Sequence, residues 1–202
     1  KELVEKASDS ISEYKKPLKK LIEETKVKFE KVSINSLFNF NRGKVISKKY
    51  LQNHKGEYPV YSSNTLDECF GRINTYNYDC EALTWTTDGI YAGTVFYKNG
   101  KFSITNVCGI MRLKKDVKNI HLPYVQKVLD FRPLARGTDN KKVMTETITN
   151  ADIKINIPVK ENGEYDLKAQ KEITAKYEVL EKIKKGLKDK LDSLVDVKVE
   201  FD

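Results

Sequence analysis

The chain has 202 residues, enough to bury one core of ordinary size without disulfide bonds. Its 37 Lys and Arg residues exceed the 29 Asp and Glu residues, and the formal net charge of +8 favours a polyanionic partner. Three scattered cysteines spell out neither a disulfide framework nor a four-thiolate zinc site, and no apolar run approaches the ~20 residues of a membrane span, so we expect a cytoplasmic protein with reduced thiols.

An amphipathic helix is predicted over residues 1–28. From Val4 onward, apolar residues alternate at spacings of three and four, which places them on one face of a helix. Pro17 interrupts this pattern, so a kink or a new helix start is expected there. The seam residues that we expect to pair with another helix are Val4, Ile11 and Leu18.

A mixed β domain of the α+β class is predicted over residues 29–160. Up to Leu113 the chain is dense in β-branched and aromatic residues, broken by Gly, Asn and Asp. Asn99-Gly100 predicts a two-residue hairpin turn joining two strands. A short helix is expected within residues 122–129, and a last strand over residues 153–159.

A second amphipathic helix is predicted within residues 161–202. Ile173, Leu180, Leu187 and Leu194 recur every seven residues, and Asp166 has the residue type and position of an N-cap. Two such seams, one at each end of the chain, favour pairing with each other or with helices of a second chain. Packing of each helix on its own domain remains the alternative.

Polar segments interrupt the β region at four places, around residues 41–49, 62–65, 86–89 and 136–142. Lys and Arg bind phosphates and guanine, Asn reads adenine, and Ser and Thr contact either, so these segments have the groups that bind nucleic acid. Any one of them could be an ordinary turn, but four in one domain favour a binding surface. The candidate contact residues are Arg42, Lys44, Lys48, Lys49, Ser63, Asn64, Thr87, Asp88, Tyr91, Arg136, Thr138, Asn140, Lys141 and Lys142.

Catalytic signatures are missing from the sequence. There is no nucleophile elbow, P-loop or HExxH helix, and His54 and His121 stand far apart. The sequence therefore predicts a binding protein that is not an enzyme and has no catalytic or metal-ligating residues of its own.

A series of segments in fixed order resembles the specificity subunits of type I restriction-modification systems. The resemblance covers one target-recognition domain with its flanking helices, about half of such a subunit. It implies a mixed β recognition domain with short helices, flanked by long amphipathic coiled-coil helices at both ends. The segments that carry it are Phe38–Lys44, Tyr58–Asn64, Phe70–Asp79, Leu83–Cys108, Ala135–Val143 and Ile148–Val159, followed by a basic helix.

The resemblance implies that the chain reads one half of a bipartite sequence in double-stranded DNA. The helices would act as a spacer that docks an adenine methyltransferase subunit, with a restriction and translocase subunit as a further partner. No cofactor is expected in this chain, because S-adenosylmethionine belongs to the methyltransferase. The strand that stops at residues 86–89 would present hydroxyls and a carboxylate to DNA, and Asp88 would accept from a cytosine amine or cap the turn.

Three forms of the protein stay open on this resemblance: a fragment of a two-domain subunit, a half-subunit that forms a homodimer through its helices, and the reader of a fused restriction-methylation enzyme. Two rival functions also stay open. One is an RNA-binding or single-strand-binding module that stacks bases on Tyr76, Tyr78, Tyr91 and Tyr97. The other is a helical adaptor protein without a nucleic-acid function.

Overall fold

The structure is a computed structural model that describes residues 27–63, 68–137 and 141–195, with side chains through residue 189. The helix predicted over residues 1–28 lies almost entirely outside these ranges. So do several of the predicted functional residues, namely Val4, Ile11, Leu18, Asn64, Thr138, Asn140 and the side chain of Leu194.

Strands dominate the first two thirds of the described chain, and a long helix ends it. Within the described ranges, no helix is long and apolar enough to cross a membrane. The strands are β1 (Lys28–Ser33), β2 (Phe38–Arg42), β3 (Tyr58–Tyr61), β4 (Gly71–Ile73), β5 (Tyr78–Asp79), β6 (Ala82–Thr86), β7 (Val95–Lys98), β8 (Lys101–Ile104), β9 (Cys108–Leu113) and β10 (Lys154–Val159). The helices are α1 (Ile34–Leu37), α2 (Lys48–Asn53), α3 (Leu122–Val128), α4 (Thr145–Ala151) and α5 (Leu167–Val195), with a 3-10 turn at Arg132–Leu134.

The strands form two four-stranded sheets and one two-stranded ladder. The first sheet has the order β2-β9-β6-β7 and is antiparallel throughout. The second has the order β4-β3-β8-β5, in which β3 and β8 run parallel. Strands β1 and β10 pair antiparallel beside them. The predicted α+β class is confirmed, as are the short helix α3 and the last strand β10.

The prediction of a β-hairpin at Asn99-Gly100 is wrong. The chain does turn there, and Gly100 has the positive φ of 90° that such a turn requires. However, β7 pairs with β6, whereas β8 pairs with β3 and β5. The two strands therefore belong to different sheets, because each buries its apolar side chains in a different core and these contacts outweigh the local pairing.

The larger core lies between the first sheet and the helices. Trp85 of β6 is fully buried and packs edge to face against Phe40 and Phe131, with ring centroids 6.2 and 6.1 Å away. Its indole ring fills the space above Gly109 of β9, where a Cβ would lie 2.2 Å from the ring. A larger residue at Gly109 would therefore displace the central side chain of this core.

The smaller core lies under the second sheet and includes Phe102 and Ile104 of β8. Beside it lies Lys98, which is 5% exposed and places its Nζ 3.6 Å from the centre of the Tyr61 ring. Burial lowers the pKa of Lys98 to about 8. This lysine is a packed residue, in contrast to the exposed lysines of the loops.

The first half of α5 packs on the domain. Asp166 caps the helix, as predicted, by accepting a hydrogen bond from the Ala169 backbone N–H at 3.0 Å. Gln170 is fully buried, and Lys127 of α3 forms an ion pair with Glu181 at 2.7 Å. Ile173 packs against the larger core, so the prediction that it pairs with another helix is corrected. Further along α5, Leu180 and Leu187 remain half-buried.

Candidate nucleic-acid interface

One end of the first sheet collects most of the polar segments that the sequence singled out. Strands β2 and β6 end there at Arg42 and Thr86, and β7 and β9 begin there at Val95 and Cys108. Since neighbouring strands are antiparallel, these four termini lie at the same end of the sheet. We call this end of the sheet, together with the loops next to it, the polar end. Its residues are 42–47, 87–94, 105–107, 136–137 and 141–142.

The carboxylate of Asp88 lies at the centre of the polar end, with 20% of its side chain exposed. It accepts a hydrogen bond from the Thr87 hydroxyl. Its oxygens are 3.8 Å from Nη2 of Arg42 and 4.0 Å from Nζ of Lys142. The partly buried Asp88 carboxylate thus offsets the repulsion between Arg42 and Lys142. The side chains of these two cations remain 41% and 54% exposed, so both stay available to an anionic ligand.

The segment that carries Lys142 is fixed by backbone hydrogen bonds. Arg136 and Lys142 exchange N–H···O bonds of 3.2 and 2.9 Å, which close a loop that begins with Gly137 at a φ of 105°. The carbonyl of Lys141 accepts from the Gly89 N–H at 2.9 Å. Three predicted cationic residues, Arg136, Lys141 and Lys142, are therefore held beside the residue 86–89 corner although about fifty positions separate them in sequence.

Two further hydrogen bonds, one of them from the buried Trp85 side chain, stabilise this arrangement. The indole N–H of Trp85 donates to the carbonyl of Val143 at 2.9 Å, and the Val143 N–H donates to the carbonyl of Thr87 at 2.8 Å. These bonds tie the end of β6 to the chain just after Lys142. The single tryptophan thus fixes the relative position of two polar segments.

The turn between β8 and β9 joins the polar end to the second sheet, and sequence reasoning missed it. Arg42 donates from Nε to the carbonyl of Asn106, and the hydroxyl of Thr105 lies 2.9 Å from that of Ser62. The backbone of Lys44 bridges to Thr105. The only local signal was a Thr-Asn pair between two apolar strands, which is typical of any turn.

The remaining predicted cations and hydroxyls lie around this region. Ser63 is exposed directly after Ser62, at the carboxyl end of β3. Lys44 is exposed in the loop after β2. Lys48 and Lys49 are exposed in the first turn of α2, which Ser47 caps by accepting from the Tyr50 N–H at 3.1 Å.

The structure corrects the prediction for Thr87. This residue was expected to face DNA, but it is 1% exposed. Its N–H donates to the Val107 carbonyl at 3.1 Å, its carbonyl accepts from Val143, and its hydroxyl donates to Asp88. Thr87 is therefore a positioning residue that orients the Asp88 carboxylate.

The turn that follows Asp88 exposes two large apolar side chains. Ile90 is 70% exposed and Tyr91 is 48% exposed. At the end of the turn, Gly93 has a φ of 93° and lies so close to Phe131 that an added Cβ would come within 2.4 Å of its carbonyl carbon. The sequence predicted a contact role for Tyr91 but not for Ile90.

The four tyrosines that a single-strand binder would need do not share one face. Tyr91 lies at the polar end, whereas Tyr76 packs edge to face on Tyr58 at 4.9 Å, beside Lys101 at the start of β8. Tyr78 stacks on Phe102 at 5.5 Å. The Tyr97 hydroxyl donates to Glu81, and burial together with this carboxylate raises the pKa of Tyr97 to about 12.

Among the described residues, no group of three or more His, Cys, Asp or Glu side chains could hold a metal ion. The polar end instead combines exposed cations, backbone carbonyls and one partly buried carboxylate. Such a surface is suited to a polyanion whose phosphates are contacted by cations and whose bases are contacted between them.

Known proteins resemble this chain along most of its length. A profile of the type I restriction modification DNA specificity domain matches residues 26–192. A protein described as the N-terminus of a type I specificity subunit of Mycoplasma pneumoniae is 50% identical over 84 residues, which cover 41% of this chain and 45% of that protein. The specificity subunit of the type I restriction enzyme MpnII, from the same organism, is 39% identical over 104 residues, covering 50% of this chain and 31% of that protein.

The crystal structure of the S subunit of a type I restriction-modification system from M. genitalium shares the fold. It superposes with a TM-score of 0.59 at 18% sequence identity, covering 79% of this chain and 41% of that one. The matched part of this chain thus spans less than half the length of each of these relatives.

Proposed function

Because the chain belongs to the family of type I restriction modification DNA specificity domains, we propose that it binds duplex DNA sequence-specifically through the polar end. The observation that carries this proposal is the convergence on Asp88. The carboxylate holds Arg42 and Lys142, which come from segments a hundred residues apart in sequence, within 4.0 Å of its oxygens. A turn that only reversed the chain would need no such arrangement.

Each part of the polar end has a role in this proposal. The exposed cations Arg42, Lys44, Lys141 and Lys142 neutralise phosphates and set the orientation of the domain on the duplex. The partly exposed carboxylate of Asp88 is suited to base edges, since a carboxylate accepts from the cytosine amine. The exposed hydroxyl of Ser63, which lies outside the polar end but follows the Ser62 contact to Thr105, is also suited to base edges. Thr87 contributes indirectly by orienting Asp88.

We place this reader in a larger assembly. The chain would act as a non-catalytic specificity component that directs an adenine methyltransferase subunit, and with it a restriction and translocase subunit, to one half of a bipartite site. S-adenosylmethionine would then bind to the methyltransferase and not to this chain. The names of the relatives, which are specificity subunits of type I systems, support this placement.

The outer half of α5 supports pairing with another helix. Leu180 and Leu187 are half-buried, while Tyr177 and Val179 are 37% and 45% exposed. An apolar stripe along the outer half of a helix is suited to a partner helix. We propose that the partner is the helix of residues 1–28 or the equivalent helix of a second chain, which would join two readers.

The DNA-binding proposal is tested by changing two exposed lysines in turn, one at the polar end and one near the opposite end of β9. Lys141→Ala removes a cation at the polar end, so duplex affinity should fall to a similar degree for all sequences, and the slope of log affinity against log salt should flatten by about one. The control is Lys115→Ala, which removes an exposed lysine just beyond the opposite end of the same strand. Fluorescence anisotropy with labelled duplexes across a salt series measures both slopes.

Equal slopes for Lys141→Ala and Lys115→Ala would remove the polar end from the contact surface. The same titrations with single strands of one sequence test the rival function. Tighter binding to the single strand than to the duplex would favour the stacking module, and no binding even at low salt would favour the helical adaptor.

The helix proposal is tested by Leu187→Asp, which places a charge in the exposed stripe. If α5 pairs between chains, this variant should be a monomer with a folded recognition domain, and its affinity for a site with two half-sites should fall to that for one half-site. Lys185→Asp, an exposed position on the same helix, is the matched control. Sedimentation of the two variants at equal concentration distinguishes the outcomes, and a wild-type monomer would contradict a dimeric assembly.

A further inference from the structure

Two adjacent side chains with large apolar surfaces, Ile90 and Tyr91, are exposed on the turn between β6 and β7, within the polar end. Ile90 is 70% exposed and Tyr91 is 48% exposed, and Gly89 separates the pair from Asp88 in the chain. Exposed apolar residues are common when scattered, but this pair lies on the turn that carries Asp88, whose carboxylate is 3.8 Å from Arg42 and 4.0 Å from Lys142. A polyanion drawn to these cations would therefore touch the apolar pair.

The exposure of this pair is fixed by the turn that carries it. The carbonyl of Tyr91 accepts from both the N–H and the hydroxyl of Thr94, at 3.1 and 2.8 Å. The Ala92 N–H donates to the carbonyl of Gly89 at 3.0 Å, and Gly93 is held against Phe131. A side chain presented by such a turn loses little further conformational freedom on binding, which favours its use as a contact.

We propose that Ile90, flanked by the Tyr91 ring, reads a thymine through its 5-methyl group in the major groove. This inference rests on the proposed DNA-binding function. The side chain of Ile90 has no hydrogen-bonding group, so it can distinguish bases only by shape or by an apolar contact. In the major groove, thymine is the base that presents a methyl group.

Insertion of the pair between base pairs is the alternative contact for exposed apolar residues. It requires unstacking at a cost of a few kcal/mol per step, together with a sharp kink of the duplex. Contact with a thymine methyl needs neither. The same turn also carries the partly exposed Asp88 carboxylate, two residues before Ile90, and a carboxylate accepts from the cytosine amine in the major groove. The two neighbouring residues therefore suit the same groove.

The test removes the 5-methyl group from the DNA and the apolar side chain beyond Cβ from the protein. A random-sequence duplex library is first enriched by binding to the full 202-residue chain, and each thymine of the enriched site is then replaced by deoxyuridine. At one thymine, the replacement should weaken wild-type binding about fourfold, the effect of one buried methyl group. Ile90→Ala should weaken binding to the thymine duplex by a similar or larger factor and should bind thymine and uracil duplexes equally.

Phe29→Ala is the control, because Phe29 is a large apolar side chain that is 44% exposed on β1, outside the polar end. This variant should keep the full sensitivity to deoxyuridine. Tyr91→Phe should also keep it, because the ring and not the hydroxyl flanks the contact. Both changes and Ile90→Ala affect exposed side chains, so the fold should be retained, and circular dichroism checks this.

Four results would overturn the inference. These are an enriched site without thymine, a duplex indifferent to deoxyuridine at every position, equal sensitivity of wild type and Ile90→Ala, or a rise in fluorescence of 2-aminopurine in the bound site, which would indicate unstacking. Each of these leaves duplex binding itself intact. Absence of duplex binding by the wild-type chain would instead overturn the proposed function, and this inference with it.

Discussion

The turns at the two ends of β7 use the same backbone device for different purposes. Each contains a glycine with positive φ, 93° at Gly93 and 90° at Gly100. The turn before β7 makes backbone hydrogen bonds with Val107, which precedes β9, with Val143, which follows Lys142, and with Phe131. The turn after β7 accepts one backbone hydrogen bond, from Cys80 to Gly100 at 3.1 Å, and the space above Gly100 is open.

The difference separates a turn that reverses the chain from a turn that presents side chains. Reversal requires only the dihedral angles that glycine supplies. Presentation also requires that the turn keep one position relative to other segments, since a contact surface works only when its groups hold their geometry. The number and origin of the hydrogen-bond partners distinguish the two cases, and the residue types do not.

The comparison is tested most strongly by adding a methyl group to each turn. Gly93→Ala should lower the free energy of unfolding by about 3–5 kcal/mol, because the new Cβ meets the Phe131 backbone in addition to the unfavourable φ. Gly100→Ala has the same φ penalty without a clash and should cost about 1 kcal/mol. Urea denaturation of both variants measures the difference, and equal losses would contradict it.

The second prediction concerns Lys98, which precedes the simple turn and is packed on Tyr61. Burial lowers the pKa of Lys98 from its ordinary value of 10.5 to about 8. Between these two pH values the unfolded lysine keeps a proton that the folded lysine releases, so wild-type stability should rise with pH relative to Lys98→Met. The gain over this window should reach about 3 kcal/mol.

Urea denaturation at several pH values between 7 and 11 measures this gain. Burial raises the pKa of Cys108 and of Tyr97 to about 12, so both groups stay largely protonated over this range and contribute little to the difference. Lys101→Met, which changes the exposed lysine on the other side of the turn, is the control and should show no comparable trend. A constant difference between wild type and Lys98→Met would show that Lys98 stays charged in the fold.

The smallest expected effect concerns Asp88, at the start of the anchored turn. Asp88→Asn should cost up to about 1 kcal/mol of stability, because the partners Arg42 and Lys142 remain partly solvated. Duplex affinity at low salt should nevertheless increase for most sequences, since one negative charge leaves the binding surface. Anisotropy titrations against Asp116→Asn, an exposed control beyond the opposite end of β9, would detect this. Weaker binding to every sequence would contradict this expectation and would show that the carboxylate is needed to hold Arg42 and Lys142 in place.

Local sequence patterns predicted the features that depend on local physics. The cap at Asp166, helix α3 and strand β10 follow from periodicity and residue type, and each was found. The polar segments at residues 41–49 and 86–89 do interrupt strands, as predicted. The convergence of the polar segments was not predictable, because the contact between Asp88 and Lys142 depends on a long-range hydrogen bond from Trp85.

The errors share one cause. Thr87 looked like an exposed hydroxyl, but its burial follows from backbone bonds to Val107 and Val143, which lie far along the chain. The hairpin prediction at Asn99-Gly100 failed because β7 pairs with the strand before it, β6, whereas β8 pairs with β3 and β5 of the other sheet. Ile173 was assigned to a helical seam because its spacing fits, whereas its neighbours are in the domain core. In each case tertiary contacts decided what a local pattern left open.

The parallel pair of β3 and β8 has a consequence for how the protein is made. Strand β3 has β4 on one side and β8 on the other, and four strands of sequence separate β3 from β8. During synthesis from the N-terminus, one edge of β3 therefore stays unpaired until β8 has left the ribosome, and the turn at Gly100 gives β8 no temporary partner. We expect this open edge to be the point at which the nascent chain is most prone to pair with another molecule, and refolding to take milliseconds to seconds because the closing contacts are non-local.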